Sequence, residues 1–158
     1  MDEAQWAHRP TPEVGADVTG RWSGEPATAE EVSTLRRQLR GALRDGSLPA
    51  GEDDAVDLLL LAFEELVSNG LRHGGPPVQV AVTAAGAGWL LEVSDAAVDR
   101  PPTPAIGRDA AAGGLGLHLV ARLCTGHGWT VQEGRKHVWC RVSRTTSATA
   151  RTPDRPRR

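Results

Sequence analysis

The stretch from Leu58 to Gly74, LLLLAFEELVSNGLRHG, constrains the whole chain. It is the most apolar run in the sequence and reads as a helix that must bury one face. Yet Glu65, Asn69 and His73 recur along it at four-residue steps, and residues four apart stack on one face of a helix. A buried carboxylate is costly unless it is paired or metal-bound, and a buried amide costs less but still something. Asn69 is a poor interior helix former, and Gly70 beside it costs about 1 kcal/mol relative to Ala. Such liabilities gathered on one stripe of an apolar helix mark the floor of a ligand site.

The elements around this helix follow from local patterns. Residues 1–20 are polar and carry prolines and glycines, which predicts a disordered leader, with an edge strand available over Asp17–Trp22. Thr28 and Glu31 have capping-box spacing, and Val32, Leu35, Leu39 and Leu43 then form one apolar stripe of a first helix. Arg36, Arg37, Arg40 and Arg44 lie off that stripe as a solvated face. Asp45-Gly46 ends the helix, glycine supplying a left-handed cap. The second helix runs from about Glu52 to Leu71, with Glu52, Asp53 and Asp54 at its positive end. Residues 78–83 and 89–94 alternate in strand fashion and predict a hairpin, with Asp95 just past its end. Residues 96–113 hold three prolines among alanines, a long connection of the kind that forms lids over sites. Gly113-Gly114-Leu115-Gly116 opens a third helix from Leu117 to about Cys124. Residues 129–132 and 138–142 predict a second hairpin around Glu133-Gly134, and residues 144–158 read as a basic, unstructured tail. Consecutive hairpins with intervening helices predict a two-layer α/β (α+β) sandwich, its sheet mixed but mainly antiparallel, with three helices on one face.

Composition narrows the partners. A net charge of −2 gives no electrostatic case for nucleic acid or an anionic membrane. No apolar run reaches about 18 residues, so no membrane span is expected, and the N-terminus lacks the pattern of a signal peptide. Two cysteines, Cys124 and Cys140, do not make a disulfide framework, and a reduced, cytoplasmic setting is expected. Cys124-x-x-His127 and His137-x-x-Cys140 have zinc-ligand spacing. His137 and Cys140, however, are an odd number of residues apart on a strand and so fall on opposite faces. Trp89, Trp129 and Trp139 read as packing residues rather than as a stacking platform for bases. No P-loop occurs, and Gly114-x-Gly116 lacks the third glycine of a dinucleotide fingerprint.

Three pieces converge on nucleotide chemistry. Asn69 offers a hard oxygen ligand of the kind Mg²⁺ accepts. Glu65, one turn earlier, is placed to take a proton from an attacking hydroxyl near a γ-phosphate. Asp95 is acceptor-only when ionised and suits an exocyclic amine such as that of adenine. The Gly114-Leu115-Gly116 turn presents backbone N–H groups at a helix start, where phosphates bind.

EELVSNGLRHG resembles the N box of the Bergerat-fold ATPases, the group of DNA gyrase, histidine kinases, heat-shock chaperones and mismatch-repair ATPases. Its short form, with GGLGLHLV as glycine box and GRKHVWCRV as the closing strand, is most similar to the anti-sigma-factor serine/threonine kinases. The resemblance covers about Thr28 to Val142. It implies ATP and Mg²⁺ as cofactors, Glu65 as general base and Asn69 as the Mg²⁺ ligand. It further implies Asp95 as the adenine contact, Gly114 and Gly116 as phosphate-side glycines with Leu115 and Leu117 beside them, and His73 near the phosphates or lid. The implied activity is that of an anti-sigma factor that phosphorylates a serine on an antagonist protein. The implied partners are a sigma factor and that antagonist, with a homodimer as the implied assembly. One departure matters. The superfamily motif Asp-x-Gly-x-Gly reads Asp95-Ala96-Ala97-Val98-Asp99 here, so Ala97 puts a methyl where backbone approaches the base, and Asp99 adds a negative charge. This departure supports a second reading, a degenerate domain that sequesters a regulatory partner without phosphotransfer. A third, the catalytic part of a sensor histidine kinase, needs an upstream phosphoacceptor helix. Only His8 lies upstream, in a proline-flanked region.

Overall fold

The first helix begins where its cap predicts. The Thr28 hydroxyl accepts from the Glu31 N–H at 3.2 Å, and the Glu31 carboxylate accepts from the Thr28 N–H at 3.1 Å, which satisfies two donors that the helix start leaves open. From this cap α1 (Ala29–Asp45) runs to Gly46, whose φ of 81° supplies the left-handed end. The structure is a computed structural model, and it describes residues 6–102 and 115–145. Residues 103–114, most of the segment read as a lid, lie outside it, as does the tail from residue 146. Around α1 are β1 (Val18–Gly24), α2 (Asp53–His73), β2 (Gln79–Ala85), β3 (Gly88–Asp95), α3 (Leu115–Leu123), β4 (Gly126–Gln132) and β5 (Arg135–Ser143).

The strands form one sheet in the order β1-β2-β3-β5-β4, and every neighbouring pair is antiparallel. Both expected hairpins are present, and the optional edge strand is β1. The sheet is therefore less mixed than expected: its parallel component is an isolated bridge between His8 and Trp129. Alternation along the strands turns Leu91 and Val93 of β3, and Val138, Cys140 and Val142 of β5, toward the helices. They join Leu59, Phe63, Leu66 and Val67 of α2 in one core. Trp89 is 1% exposed and Trp139 5%, which bears out their reading as packing residues. None of the helices among the described residues is long and apolar enough to cross a membrane.

The described part of the leader is not unstructured. Arg9 N–H donates to Trp129 O at 2.9 Å and Trp129 N–H to Ala7 O at 3.1 Å. Trp6 is buried, edge-on to His127 at 4.9 Å. The Trp139 indole N–H donates to Arg9 O at 3.1 Å. The free edge of β4 presents unpaired backbone groups that another segment can satisfy, and a leader tryptophan brings apolar area to bury there. The other end shows the same effect. Arg144, read as the start of the tail, still donates its N–H to Ala87 O at 2.9 Å and accepts from Glu52 N–H at 2.8 Å.

Candidate functional site

At Gly70 the second helix packs directly against Val78 and the sheet residue Val93. A Cβ there would sit 3.2 Å from Val78 and 3.5 Å from Val93. The helix-breaking residue beside Asn69 thus has a packing cause. The polar stripe runs along the border of this buried face rather than through it. Glu65 and Asn69 are half-buried and His73 is exposed. Glu64, one residue over, is exposed and pairs with Arg36 of α1 at 3.3 Å, a contact of little energetic weight at the surface.

Glu65 lies against the first turn of α3. Its Cγ, Cδ and Oε2 occupy the position that a side chain on Gly116 would need. Glycine is required at 116 for α2 and α3 to meet with a carboxylate between them. Burial pushes the Glu65 carboxyl above the ordinary range, Glu64 adds to the effect, and Arg72 opposes it. Glu65 has no hydrogen bond or ion pair among the described residues. Of the other residues named for the glycine turn, Gly114 lies outside the described residues. Leu115 is the first residue of α3, two residues earlier than expected. Leu117 is 1% exposed, so its side chain belongs to the core and only its backbone faces the turn.

The opposite end of α2 meets Asp95. Asp95 is the last residue of β3, not just beyond it, and is 1% exposed. A Cβ on Gly74 would stand 2.5 Å from the Asp95 Cγ and 2.6 Å from its Oδ2, so Gly74 permits the helix end to close over the carboxylate. Asp95 Oδ1 accepts from the Ala97 N–H at 2.8 Å, a local turn of the kind aspartate favours. Its Oδ2 is 3.4 Å from Lys136 Nζ, both side chains being 2% exposed. Lys136 also donates to Arg100 O at 2.6 Å. The motif glycines replaced by Ala97 and Asp99 are not needed for this turn. Among the described non-glycine residues the only positive φ belongs to Glu133, so Ala97 sits unstrained. Asp99 is exposed.

The two ends are nine residues apart on α2, Glu65 to Gly74, or about 13 Å at the helical rise. Asn69 stands roughly 6 Å along the axis from Glu65 by the same rise. Glu65 and Asn69 share the stripe on α2, Glu65 against Gly116 of α3, while Asp95 lies on β3 against Gly74 at the C-terminal end of α2. The sequence reading missed Lys136 and Gly74. Lys136 was visible as the chain's sole lysine and Gly74 as the glycine just after the stripe, but which strand residue faces Asp95 depends on register. The Asn69 amide oxygen, half-buried at a border, is chemically suited to a hard cation, and the Gly116 backbone is suited to close approach of a phosphate.

The cysteines are placed elsewhere. Cys124 Sγ is 3.7 Å from His127 Nδ1. Burial pushes the Cys124 thiol up to about 11 and raises that of Cys140 well above the ordinary thiol range. Cys140 is fully buried on the helix side while His137 lines a groove on the other face with Glu92 and Ser94, as their odd spacing requires. Among the described residues no three His, Cys, Asp or Glu side chains are grouped to hold a metal.

Comparison with known proteins bears on the fold and the family. Among solved structures the chain is similar to "the RsbU and RsbW domains of Rv1364c from Mycobacterium tuberculosis", at 20% identity and a TM-score of 0.56. That likeness covers 82% of this chain and 34% of the other, so the chain spans about a third of that protein's length. At this identity it shows the fold alone. No curated protein matches. A family model described as the histidine kinase-like ATPase domain matches residues 25–142. That match runs from just before α1 to the last core residue of β5, and the chain therefore belongs to the histidine kinase-like ATPase domain family.

Proposed function

We propose that the chain is an ATP- and Mg²⁺-dependent serine/threonine protein kinase of the anti-sigma type, acting on an antagonist protein in the cytoplasm. The observation that carries this reading is Glu65, a half-buried carboxylate with a raised pKa, set against the α3 helix start and without a hydrogen bond among the described residues. A general base works best when its pKa is drawn toward the operating pH, and burial does this here. Asn69 would hold the Mg²⁺ by its side-chain oxygen, and the backbone at Gly114 and Gly116 would face the phosphates. The metal–nucleotide, when bound, supplies the transferable phosphoryl group and neutralises its charge. Glu65 Oε2 accepts the proton of the substrate serine hydroxyl. Arg72 opposes the upward shift at Glu65 and so favours its ionised, proton-accepting form. Asp95 orients the nucleotide by accepting from the exocyclic amine of its base, while Ala97 and His73 border the ligand.

Incubation with labelled ATP and a candidate antagonist tests the proposal. Transfer of label to the antagonist is expected, with a loss of at least a hundredfold in Glu65→Gln. Equal transfer by that variant refutes the role of Glu65.

One observation favours a second reading, a binding module that sequesters a sigma factor or its antagonist without phosphotransfer. Asp95 is sealed at 1% exposure, with partners on both oxygens. Calorimetry with ATP and Mg²⁺ separates the two readings, since a module shows no binding at millimolar nucleotide.

A further inference from the structure

Lys136 is the chain's only lysine and is 2% exposed. Lysine is almost never fully buried unless it is paired, so its place needs a cause. Its Cα is the direct cross-strand partner of Asp95, and its ammonium bridges Asp95 Oδ2, at 3.4 Å, to Arg100 O, at 2.6 Å. Asp95 Oδ1 in turn holds Ala97 N–H. Between these anchors Val98 N–H donates to Ala96 O at 3.0 Å and Arg100 N–H to Ala97 O at 3.2 Å. The backbone from Ala96 to Arg100 is therefore pinned at both ends by a single ion pair. This is the segment in which the motif glycines are replaced.

Resting on the reading that Asp95 contacts the base of a nucleotide, we propose that Lys136 is the positioning residue that sets base selectivity. An ionised carboxylate has about four acceptor sites, of which Ala97 N–H and Lys136 engage two. With the carboxylate held between them, its remaining lone pairs have one direction. A base presenting an amine there is accepted. A base presenting a carbonyl sets lone pairs against lone pairs and leaves both groups unpaired, which is how polar sites reject near-isosteres. Without Lys136 the carboxylate is free to rotate, and the discrimination is lost.

The test is calorimetric titration of the full chain with the magnesium complexes of ATP and inosine triphosphate, whose base carries a carbonyl in place of the amine. Wild type, Lys136→Met and Lys136→Arg are compared, each with a melting curve. Wild type is expected to prefer ATP at least tenfold. In Lys136→Met the ratio falls below threefold through loss of ATP affinity, with inosine triphosphate affinity unchanged within about twofold. Lys136→Arg retains the buried charge but replaces a point donor by a planar fork, and its ratio falls at least threefold. It carries the measurement if Lys136→Met does not melt cooperatively. A folded variant with the wild-type ratio overturns the proposal and leaves the nucleotide reading standing. Wild type that binds neither nucleotide overturns both.

Discussion

Glu65 and Asp95 are both acidic residues packed between α2 and a glycine, Glu65 part-way along the helix against Gly116 of α3 and Asp95 against Gly74 at its C-terminal end, and the protein treats them in opposite ways. Asp95 is buried and held in place, one oxygen by Ala97 N–H and the other by Lys136, with Gly74 beside it. Glu65 is half-buried against Gly116 with no hydrogen-bonding or ion-pair partner among the described residues, and burial raises its pKa. A carboxylate with both oxygens engaged is a fixed reference point. One partly desolvated and unpartnered can change its protonation state. The difference separates holding a ligand in register from moving a proton, and it divides the substitutions by what they disturb.

The largest effect on stability is expected at the closed end. Asp95→Ala leaves the Lys136 ammonium buried without its carboxylate, and breaking a buried pair on one side costs about 3–5 kcal/mol. Chemical denaturation should register that loss. The double variant Asp95→Ala, Lys136→Met removes both charges and should recover more than half of it. Strict additivity of the two single variants would mean that the pair does not act as a unit.

The glycines give the next contrast. Gly74→Ala drives a methyl into the Asp95 carboxylate and the Gly70 carbonyl, both about 2.5 Å away. The carboxylate is locked and the carbonyl is backbone, so the strain has nowhere to go, and overpacking of this kind costs about 1–3 kcal/mol. Gly116→Ala meets the Glu65 side chain from Cγ to Oε2, but that side chain is half-exposed and can swing toward solvent. Its stability cost should stay near 0.5 kcal/mol, the range of ordinary surface changes. Because the methyl displaces Glu65, phosphotransfer should fall at least tenfold. Equal melting temperatures for the two variants would erase the distinction between the ends.

Much of this was legible beforehand, for reasons that can be located. The capping box at Thr28 and Glu31, the stripe of α1 and the two hairpins are local patterns, and local patterns survive folding. Gly116 and Asp95 could be singled out because their motifs lie at fixed places around helix and strand ends, where the structure sets each against α2. Lys136 was not found, because its role exists only in the register that sets it opposite Asp95, 41 residues earlier in the chain. The leader was misread because polarity and prolines say nothing of a free strand edge waiting at β4. The stripe was placed deeper than it lies. Four-residue spacing puts Glu65, Asn69 and His73 on one face, but which face meets the core depends on where α2 touches the sheet, and Gly70 decides that.

The smallest expected stability effect is at the open end, and its sign is the informative part. In the folded state the Glu65 pKa is raised, first by burial and then by Glu64. Ionisation is therefore harder in the folded chain than in the unfolded one. The stability tied to this group is fully present below its unfolded pKa and is lost as pH rises through the folded value. Glu65→Gln removes that dependence. The variant should melt slightly higher than wild type at pH 8, and the two should converge near pH 4. Phosphotransfer by wild type should show an acidic limb lying above the ordinary glutamate range, absent from the residual activity of the variant. A melting difference of the opposite sign would mean that the folded chain stabilises the Glu65 charge, and the contrast in burial would not carry a contrast in proton affinity.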